Sequence, residues 1–314
     1  MKNIVTFAVG IKEIFLLGVI FLIACSAPEQ TIRSAESTQI VFQTEVAKFP
    51  RLCPNDTPYF SDKNESFSPD GLWLGELCLS SEYKDLVLTF SNKKTQVLWK
   101  MLYHDYIPDV DFADGGMRVA HWSSDSKYAY FYTSLGGSVG ECFYEGYDTG
   151  VGLFRLDLQT GQTTEILPLI NGNSVWYGFS FSPNGRWLVY GIRTLDLVML
   201  DLMTGESINV AHEKDFSQGG GYVWSPDGSR FAYSTVKSLP NNVGRKGYTL
   251  RLVDVQTGDE RTLLESETSC YLAKKWEDSN ILLIEYYDEN YNGAVMEYDI
   301  NSNTIISTSA PSNP

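Results

Sequence analysis

The sequence is poor in basic side chains, in histidine and in cysteine. Its 314 residues include 24 Lys and Arg against 39 Asp and Glu, which gives a formal charge of −15. Nucleic acids and anionic membrane surfaces are bound through clustered Lys and Arg, so this deficit argues against both as direct partners. The few histidines and cysteines form no cluster with zinc spacing. The sequence therefore predicts neither a metal site nor a cofactor.

Long apolar runs are also scarce. The clearest one, at 14–24, is too short for an ordinary membrane helix but has the right length for the core of a signal peptide. It leads into LIAC (22–25), which resembles the lipobox of bacterial lipoproteins. The resemblance implies cleavage before Cys25 and acylation of Cys25, which would anchor the chain to a membrane; a plain secretory signal is the alternative. We expect a signal peptide at 1–24 and a flexible tether at 25–38.

Four cysteines remain besides Cys25. An even number in an exported protein permits two disulfides with three alternative pairings, and proximity in sequence favours Cys53 with Cys78. The four are Cys53, Cys78, Cys142 and Cys270.

Amphipathic helices are missing as well, because no convincing helical pattern follows residue 30. Aromatic residues make up 13% of the chain, and small polar residues recur at short intervals, which is typical of many short strands. Two stretches, FSPNGRWLVY (181–190) and WSPDGSRFAY (224–233), are nearly the same. In the second, Pro226 presets φ for a type I turn, Asp227 suits the third position and Gly228 the fourth. We therefore interpret Asp227 as a turn residue between two strands, not as a catalyst.

The aromatic anchor of this turn recurs at five places, at intervals of 43 to 59 residues. The turn sequence is clear at the first, third and fourth places, and the second and fifth are degenerate and assigned by their spacing. An apolar run that ends in Asp and a Gly turn, such as LFRLDLQTG (153–161), follows the anchors. In the first repeat its place is taken by LVLTFSNKK (86–94), which sets Phe90 at the Asp position. Such a period is typical of propeller blades of four antiparallel strands. The anchors are Phe67, Trp122, Phe181, Trp224 and Trp276; the Asp positions are Asp157, Asp201, Asp254 and Asp299; the turn residues are Pro69, Asp70, Gly71, Pro183, Asn184, Gly185, Pro226, Asp227 and Gly228.

We therefore expect an all-β fold, a β-propeller of about five four-stranded blades within residues 39–309, with six blades as the alternative. Ring closure removes the exposed ends of such a stack. The stretch QIVFQTEV (39–46) is expected to supply an outer or closing strand, and residues 310–314 a disordered tail.

The SPDG turns after an aromatic residue, followed by LDLxTG, are similar to the WD40-like (PD40) repeats of TolB β-propellers. Such repeats also occur in the propellers of prolyl oligopeptidase and dipeptidyl peptidase relatives. The resemblance covers about 60–309 and implies the fold, which hosts many functions. About 35 residues separate Cys25 from the first blade, too few for the separate N-terminal domain of TolB, and TolB is not lipid-anchored. A role in the Tol system is therefore not implied.

Repeat lengths vary in three connections. These are the loops between the second and third strands of repeats 2 (134–152) and 4 (236–247), and the connection between repeats 1 and 2 (101–117). All three emerge on the side of the ring opposite the SPDG turns, which we call the rim. Variable loops on a fixed scaffold often carry binding residues, and tyrosine suits recognition. The candidate rim residues are His104, Asp105, Tyr106, Asp109, Asp111, Asp114, Glu141, Tyr144, Tyr147 and Asp148.

Three chemical alternatives depend on loop motifs. GGSVG (136–140) matches the GxSxG pattern of hydrolases, but no helix pattern follows it, which argues against Ser138 as a nucleophile. Three aspartates in DVDFADGG (109–116) suggest calcium binding, although their spacing misses the EF-hand pattern. Some five-bladed propellers are glycosidases, which use paired carboxylates. The candidate carboxylates are Asp105, Glu141, Asp148 and Glu285.

The sequence thus favours a monomeric, non-enzymatic, lipid-anchored protein of the bacterial cell envelope. Its rim is expected to bind a protein, a peptide or a glycan. A propeller hydrolase acting on glycans or peptides, and a structural envelope component without a ligand, are the alternatives.

Overall fold

The computed structural model describes residues 40–41, 49–50, 65–80, 82–107, 115–135, 149–167, 176–191, 197–210, 216–237, 247–288, 290 and 292–309. These residues form 21 β-strands and one helix of four residues. None of their helices has the length and apolarity that a membrane crossing requires.

Twenty of the strands form five successive antiparallel groups of four, which we call sheets 1 to 5. Sheet 1 contains β2 (Glu65–Phe67), β3 (Trp73–Ser80), β4 (Asp85–Asn92) and β5 (Val97–Leu102). Sheet 2 contains β6 (Gly115–Trp122), β7 (Tyr128–Leu135), β8 (Thr149–Asp157) and β9 (Thr163–Leu167). Sheet 3 contains β10 (Trp176–Phe181), β11 (Trp187–Gly191), β12 (Leu197–Asp201) and β13 (Ser207–Val210).

Sheets 4 and 5 repeat the same up-and-down order. Sheet 4 contains β14 (Phe216–Trp224), β15 (Arg230–Lys237), β16 (Tyr248–Asp254) and β17 (Glu260–Ser266). Sheet 5 contains β18 (Cys270–Trp276), β19 (Ile281–Tyr287), β20 (Gly293–Asp299) and β21 (Thr304–Ser309).

Two additions complete the pattern. β1 (Ile40–Val41) pairs with the outer strand β5, so part of the stretch 39–46 forms an outer strand, which is one of the two expected roles. β8 also pairs with β10 through the backbones of Thr149 and Gly150, which joins sheets 2 and 3.

The repeat motifs mark strand ends in all five sheets. Each first strand ends at its aromatic anchor, and the third strands of sheets 2 to 5 end at the expected aspartates. Sheet 1 differs, because β4 runs past Phe90 to Asn92. The Asn92 side chain accepts hydrogen bonds from the backbone N–H groups of Lys94 and Thr95, both at 2.9 Å, as the aspartates do in their own turns. Asn92, not Phe90, therefore occupies the Asp position.

Aromatic side chains join neighbouring sheets. The indole Nε1 of Trp122 in sheet 2 donates to the Ser66 hydroxyl of sheet 1 at 2.8 Å. The indole Nε1 of Trp276 in sheet 5 likewise donates to the Val223 carbonyl of sheet 4 at 3.0 Å. Apolar clusters fill the interfaces, for example Phe90 with Phe131 between sheets 1 and 2. Because each sheet buries a face against the next, the architecture is a β-propeller of about five blades, as the repeats predicted.

Candidate binding rim

Antiparallel order places the loops of each sheet on two opposite sides. The turns between first and second strands and between third and fourth strands lie on one side, which we call the turn face. The connections between second and third strands and between successive sheets lie on the rim.

The turn face is closed by its own hydrogen bonds, as sheet 4 shows. The Asp227 carboxylate accepts bonds from the Ser225 hydroxyl at 2.7 Å and from the Ser229 backbone N–H at 3.0 Å. The Gly228 N–H donates to the Ser225 carbonyl at 2.8 Å, and Gly228 has φ of +68°. Hydrogen bonds from Ser225 and Ser229 hold the pKa of Asp227 well below its usual value. Asp227 is thus an ionised turn residue whose Oδ1 atom is engaged by its own turn.

The same network recurs in other sheets. Asp70 accepts from the Ser68 hydroxyl at 2.6 Å and from the Leu72 N–H at 2.9 Å. Asn184 does so from the Ser182 hydroxyl at 2.7 Å and from the Arg186 N–H at 3.0 Å. Pro69 and Gly71, Pro183 and Gly185, and Pro226 and Gly228 lie in these turns.

On the rim, the described part of the connection between sheets 1 and 2 is a single helical turn, α1 (Tyr103–Tyr106). The connection is shorter than the 101–117 that the repeat spacing predicted, because β5 extends to Leu102 and β6 begins at Gly115. Tyr103 is fully buried, and Tyr106 packs against Phe131 and Phe154.

The expectation that Tyr106 is a rim residue is wrong. Its ring centroid lies 4.6 Å from that of Phe154, and its side chain is buried between sheets 1 and 2. Burial raises the pKa of Tyr106, so its hydroxyl stays protonated and lies close to the Met101 sulfur. Tyr103 and Tyr106 instead act as anchors that fix the helical turn to the propeller.

Between these anchors, His104 and Asp105 are exposed. The ring Nδ1 of His104 lies 2.7 Å from Oδ1 of Asp85, and the backbone N–H of His104 donates to Oδ2 of the same carboxylate at 3.1 Å. The Asp85 side chain is buried, whereas that of His104 is 43% exposed. A buried carboxylate from β4 therefore orients an exposed imidazole on α1.

Charged groups surround Asp105. Partial desolvation of the Asp105 carboxylate, followed by the nearby Asp85 carboxylate, raises the pKa of Asp105, and His104 and Lys100 offset part of that rise. The ammonium group of Lys100 lies 4.3 Å from the ring centroid of Tyr83, which is within cation–π range. This side of the rim thus carries two carboxylates, an imidazole and a lysine close together.

The sequence pattern found only part of this cluster. His104 and Asp105 were candidates, but Asp85, Lys100 and Tyr83 were missed because they lie on or beside regular strands and belong to no motif. The sequence did contain one signal for this cluster, because Asp85 is the first residue of β4 and directly follows a short loop. The candidates Asp109, Asp111, Asp114, Glu141, Tyr144, Tyr147 and Asp148 lie outside the described residues, as do Ser138 and Cys25.

Carboxylates are scarce near the propeller axis. The first strands of neighbouring sheets contact each other, β10 with β14 and β14 with β18, so these strands lie innermost. In the described parts of the five first strands, Glu65 is the only carboxylate. The candidate Glu285 lies on β19, where Lys274 contacts it at 3.1 Å and the Tyr287 hydroxyl donates to it at 3.0 Å. Within the described ranges, no three or more His, Cys, Asp or Glu side chains are arranged so that they could hold a metal ion.

Cys78 and Cys270 are both disulfide-bonded. Cys78 lies on β3 and Cys270 begins β18, and both are buried. The proposed partner of Cys78, Cys53, lies outside the described residues, so that pairing stays a prediction.

Comparison with known proteins adds evidence on the fold. No protein-family model and no curated protein sequence matches the chain. Solved structures do match, among them dipeptidyl peptidase 4 from Porphyromonas gingivalis, with a TM-score of 0.51 and 11% identity over 79% of this chain and 40% of that one. A prolyl endopeptidase matches with a TM-score of 0.53 and 12% identity over 79% of this chain and 36% of that one. TolB from Acinetobacter baumannii matches with a TM-score of 0.41 and 15% identity over 80% of this chain and 54% of that one.

These similarities concern the fold alone, because the identities are low. The chain spans less than half the length of the two peptidases and about half that of TolB. The five stacked sheets confirm the prediction of an all-β propeller of about five blades, and the peptidase matches support the propeller fold.

Proposed function

We propose that this protein is a non-enzymatic, lipid-anchored protein of the bacterial cell envelope whose propeller rim binds a protein, a peptide or a glycan. The observation that carries the proposal is the α1 cluster. There, exposed His104 and Asp105 stand on a helical turn that Tyr103, Tyr106 and the buried Asp85 hold in place.

Preorganisation is the reason why this cluster suits binding. A side chain that is already held in one orientation loses little conformational freedom when a ligand binds it. His104 is held twice by Asp85, through its ring and through its backbone. An imidazole beside a carboxylate offers both a donor and an acceptor to amides, ammonium groups or hydroxyls.

The turn face offers much less to a ligand. The Oδ1 atom of each of Asp70, Asn184 and Asp227 accepts hydrogen bonds within its own turn. This difference between the two sides supports the rim as the working surface. The few carboxylates on the described inner strands support binding over carboxylate-based hydrolysis.

The envelope location and the anchor are proposed from two features. The sequence around Cys25 resembles a lipobox, which implies acylation of that cysteine. Disulfides at Cys78 and Cys270 suit an oxidising compartment outside the cytoplasm. We propose that the anchored propeller is monomeric.

One observation favours a second candidate, a hydrolase of glycans or peptides. The raised pKa of Asp105 beside Asp85 is the kind of perturbation that enzymes use to prepare a proton donor. In that case purified protein would cleave polysaccharide or peptide mixtures, and Asp105→Asn would abolish the cleavage. Absence of cleavage by the wild-type protein would rule out this candidate for the substrates assayed.

The proposal is tested by affinity capture from detergent-solubilised membranes of cells that make the full chain. Three variants are compared with wild type: His104→Ala/Asp105→Ala, replacement of residues 137–147 by a Gly/Ser linker, and Met203→Ser. Met203 is 81% exposed on the turn face, so Met203→Ser is the matched surface control. The linker leaves the strands β7 and β8 intact.

We expect the rim variants to lose partners that wild type and Met203→Ser both retain. Recovery of the same partners by all four proteins would contradict the proposal. Thermal unfolding of each variant establishes that a loss of partners is not a loss of fold.

A further inference from the structure

The outer strand of sheet 5 is an exposed edge. β21 reads TIISTS, pairs with β20, and forms the last strand of the sheet. All six of its residues are exposed, with Ile305 46% and Ile306 52% accessible. An exposed edge strand presents unpaired backbone N–H and C=O groups, with which another strand can form hydrogen bonds.

The other outer strands are less open to such pairing. β5 pairs with β1 at Val97 and Leu98 and has no exposed residue, and β13 has only four residues. β9 carries Glu165, and β17 carries Glu260, Arg261 and Glu265. Charges, short length and covering are the usual protections of an edge strand. β21 is longer than β13, carries no charge and no proline, and exposes two isoleucines.

Sheet 1 shows that an outer edge of this propeller accepts an added strand. Ile40 pairs with Leu98, and Val41 pairs with Val97, in antiparallel order. An extended segment with β-branched residues thus pairs with the outer edge of this blade at the two described positions. The equivalent edge of sheet 5 is also an outer strand, and none of the described strands pairs with it on its outer side.

The charges beside β21 indicate what kind of strand would fit. Ser307 pairs with Glu297 and Thr304 pairs with Asp299, and residues paired in an antiparallel ladder point to the same side of a sheet. Asp299 accepts hydrogen bonds from the Asn301 and Ser302 backbones in its own turn, where the Arg261 guanidinium bonds Ile300 and Asn303. Glu297 is therefore the carboxylate that lies beside the middle of β21.

On this basis we propose that the free edge of β21 binds an extended, cationic segment of another protein by β-strand addition. Backbone hydrogen bonds supply the pairing, and Lys or Arg at alternate positions faces the Glu297 side of the sheet. This surface is separate from the rim and does not depend on the rim's function.

A second copy of the chain fits this edge less well. Two copies bring the same carboxylates together, and each carries a formal charge of −15. Two strands of six residues meeting edge to edge also bury far less than the roughly 1,200 Å² of a stable interface. A cationic strand would instead be attracted to the negative charge of this protein, whereas a second copy would be repelled by it.

The test uses fluorescence anisotropy with a labelled peptide of alternating lysine and valine, titrated with the purified full chain. Three comparisons isolate the contact. An N-methylated version of the peptide lacks backbone donors, and a version with glutamate for lysine reverses the charge. Ile306→Lys introduces an edge charge, and Ile208→Lys on the outer strand β13 is the matched control, because Ile208 is also an exposed isoleucine.

We expect the lysine peptide to bind wild type and Ile208→Lys equally, and Ile306→Lys about fivefold more weakly. Glu297→Gln should also weaken binding, and the N-methylated and glutamate peptides should not bind. Equal weakening by Ile306→Lys and Ile208→Lys, or binding of the N-methylated peptide, would mean diffuse charge attraction and would overturn the proposal. The proposal would also be overturned, in favour of self-association, if the peptide did not bind and the wild-type protein formed concentration-dependent dimers. In that case Ile306→Lys would be monomeric.

Discussion

The imidazole ring of His121 stacks on the ring of Phe181, with centroids 4.6 Å apart and planes 8° from parallel. His121 precedes the anchor Trp122 of sheet 2, and Phe181 is the anchor of sheet 3, so the contact joins two blades. The Nε2 atom of His121 is buried, and no described residue hydrogen-bonds to it. Burial lowers the pKa of His121 from its usual value.

This contact predicts a loss of stability in mild acid. Below about pH 6.5, His121 binds a proton in the unfolded chain more readily than in the folded protein. The free energy of unfolding therefore decreases as the pH is lowered. His121→Phe keeps the stacked ring and removes the proton site. We expect urea unfolding at pH 7.5 and pH 5.5 to differ less for His121→Phe than for wild type. An unchanged difference would show that the His121 ring is not the source.

Two glycines with the same backbone conformation should respond differently to alanine. Gly185 and Gly228 both have φ of +68°, so each substitution costs about 1 kcal/mol of backbone strain. A Cβ on Gly185 would lie 2.9 Å from Nε2 of His121, whereas on Gly228 the nearest atom would lie 3.5 Å away. We expect Gly185→Ala to cost at least about 1 kcal/mol more in denaturant unfolding than Gly228→Ala. Equal losses would mean that His121 moves aside freely.

A buried ion pair in sheet 4 should be costly to break on one side only. The Arg251 guanidinium donates to the Glu260 carboxylate at 3.0 Å, with both side chains at least 93% buried. The Tyr233 hydroxyl also donates to Glu260, and burial raises the pKa of Tyr233. Arg251→Met leaves an unpaired buried charge, so we expect a loss of about 3 to 5 kcal/mol.

The double variant Arg251→Met/Glu260→Gln tests the cause of that loss. It removes both charges but leaves an acceptor for the Tyr233 hydroxyl, and we expect it to be more stable than Arg251→Met alone. If chemical unfolding shows the double variant to be no more stable than Arg251→Met, the unpaired charge is not the origin of the effect.

Asp227 should contribute stability only where its carboxylate is ionised. Its pKa is lowered in the folded protein, so the contribution is present above the unfolded value of about 3.9 and is lost as pH falls further. Asp227→Asn places there the residue that sheet 3 carries at Asn184, with the same acceptor oxygen. We expect wild type to be more stable than Asp227→Asn at pH 7, and the two to converge as pH falls below about 4 in thermal unfolding. A difference that is constant with pH would contradict this.

The sequence predicted the fold well where neighbours in the chain decide the structure. The turn at Asp227 depends on residues from Ser225 to Arg230, all within one short stretch. The aromatic anchors end their strands because the turn follows them directly. The one misplacement, Phe90 for Asn92, arose because the amide of asparagine replaces the carboxylate in a sequence without the expected Gly.

The candidate site was found only in part, because burial depends on contacts between distant residues. Tyr106 and Asp105 are adjacent in a polar, aromatic stretch, yet one is buried and the other exposed. Asp85 reaches His104 across 19 residues, and no local pattern announces that contact.

By itself the sequence determined the five repeats, their turns and the side of the propeller on which the connections vary, because turn chemistry acts over a few residues. The tertiary structure decided which rim side chains face solvent, how Asp85 orients His104, and that β21 remains an open edge. These features depend on how one sheet covers the next, and that covering is set by side chains far apart in the chain.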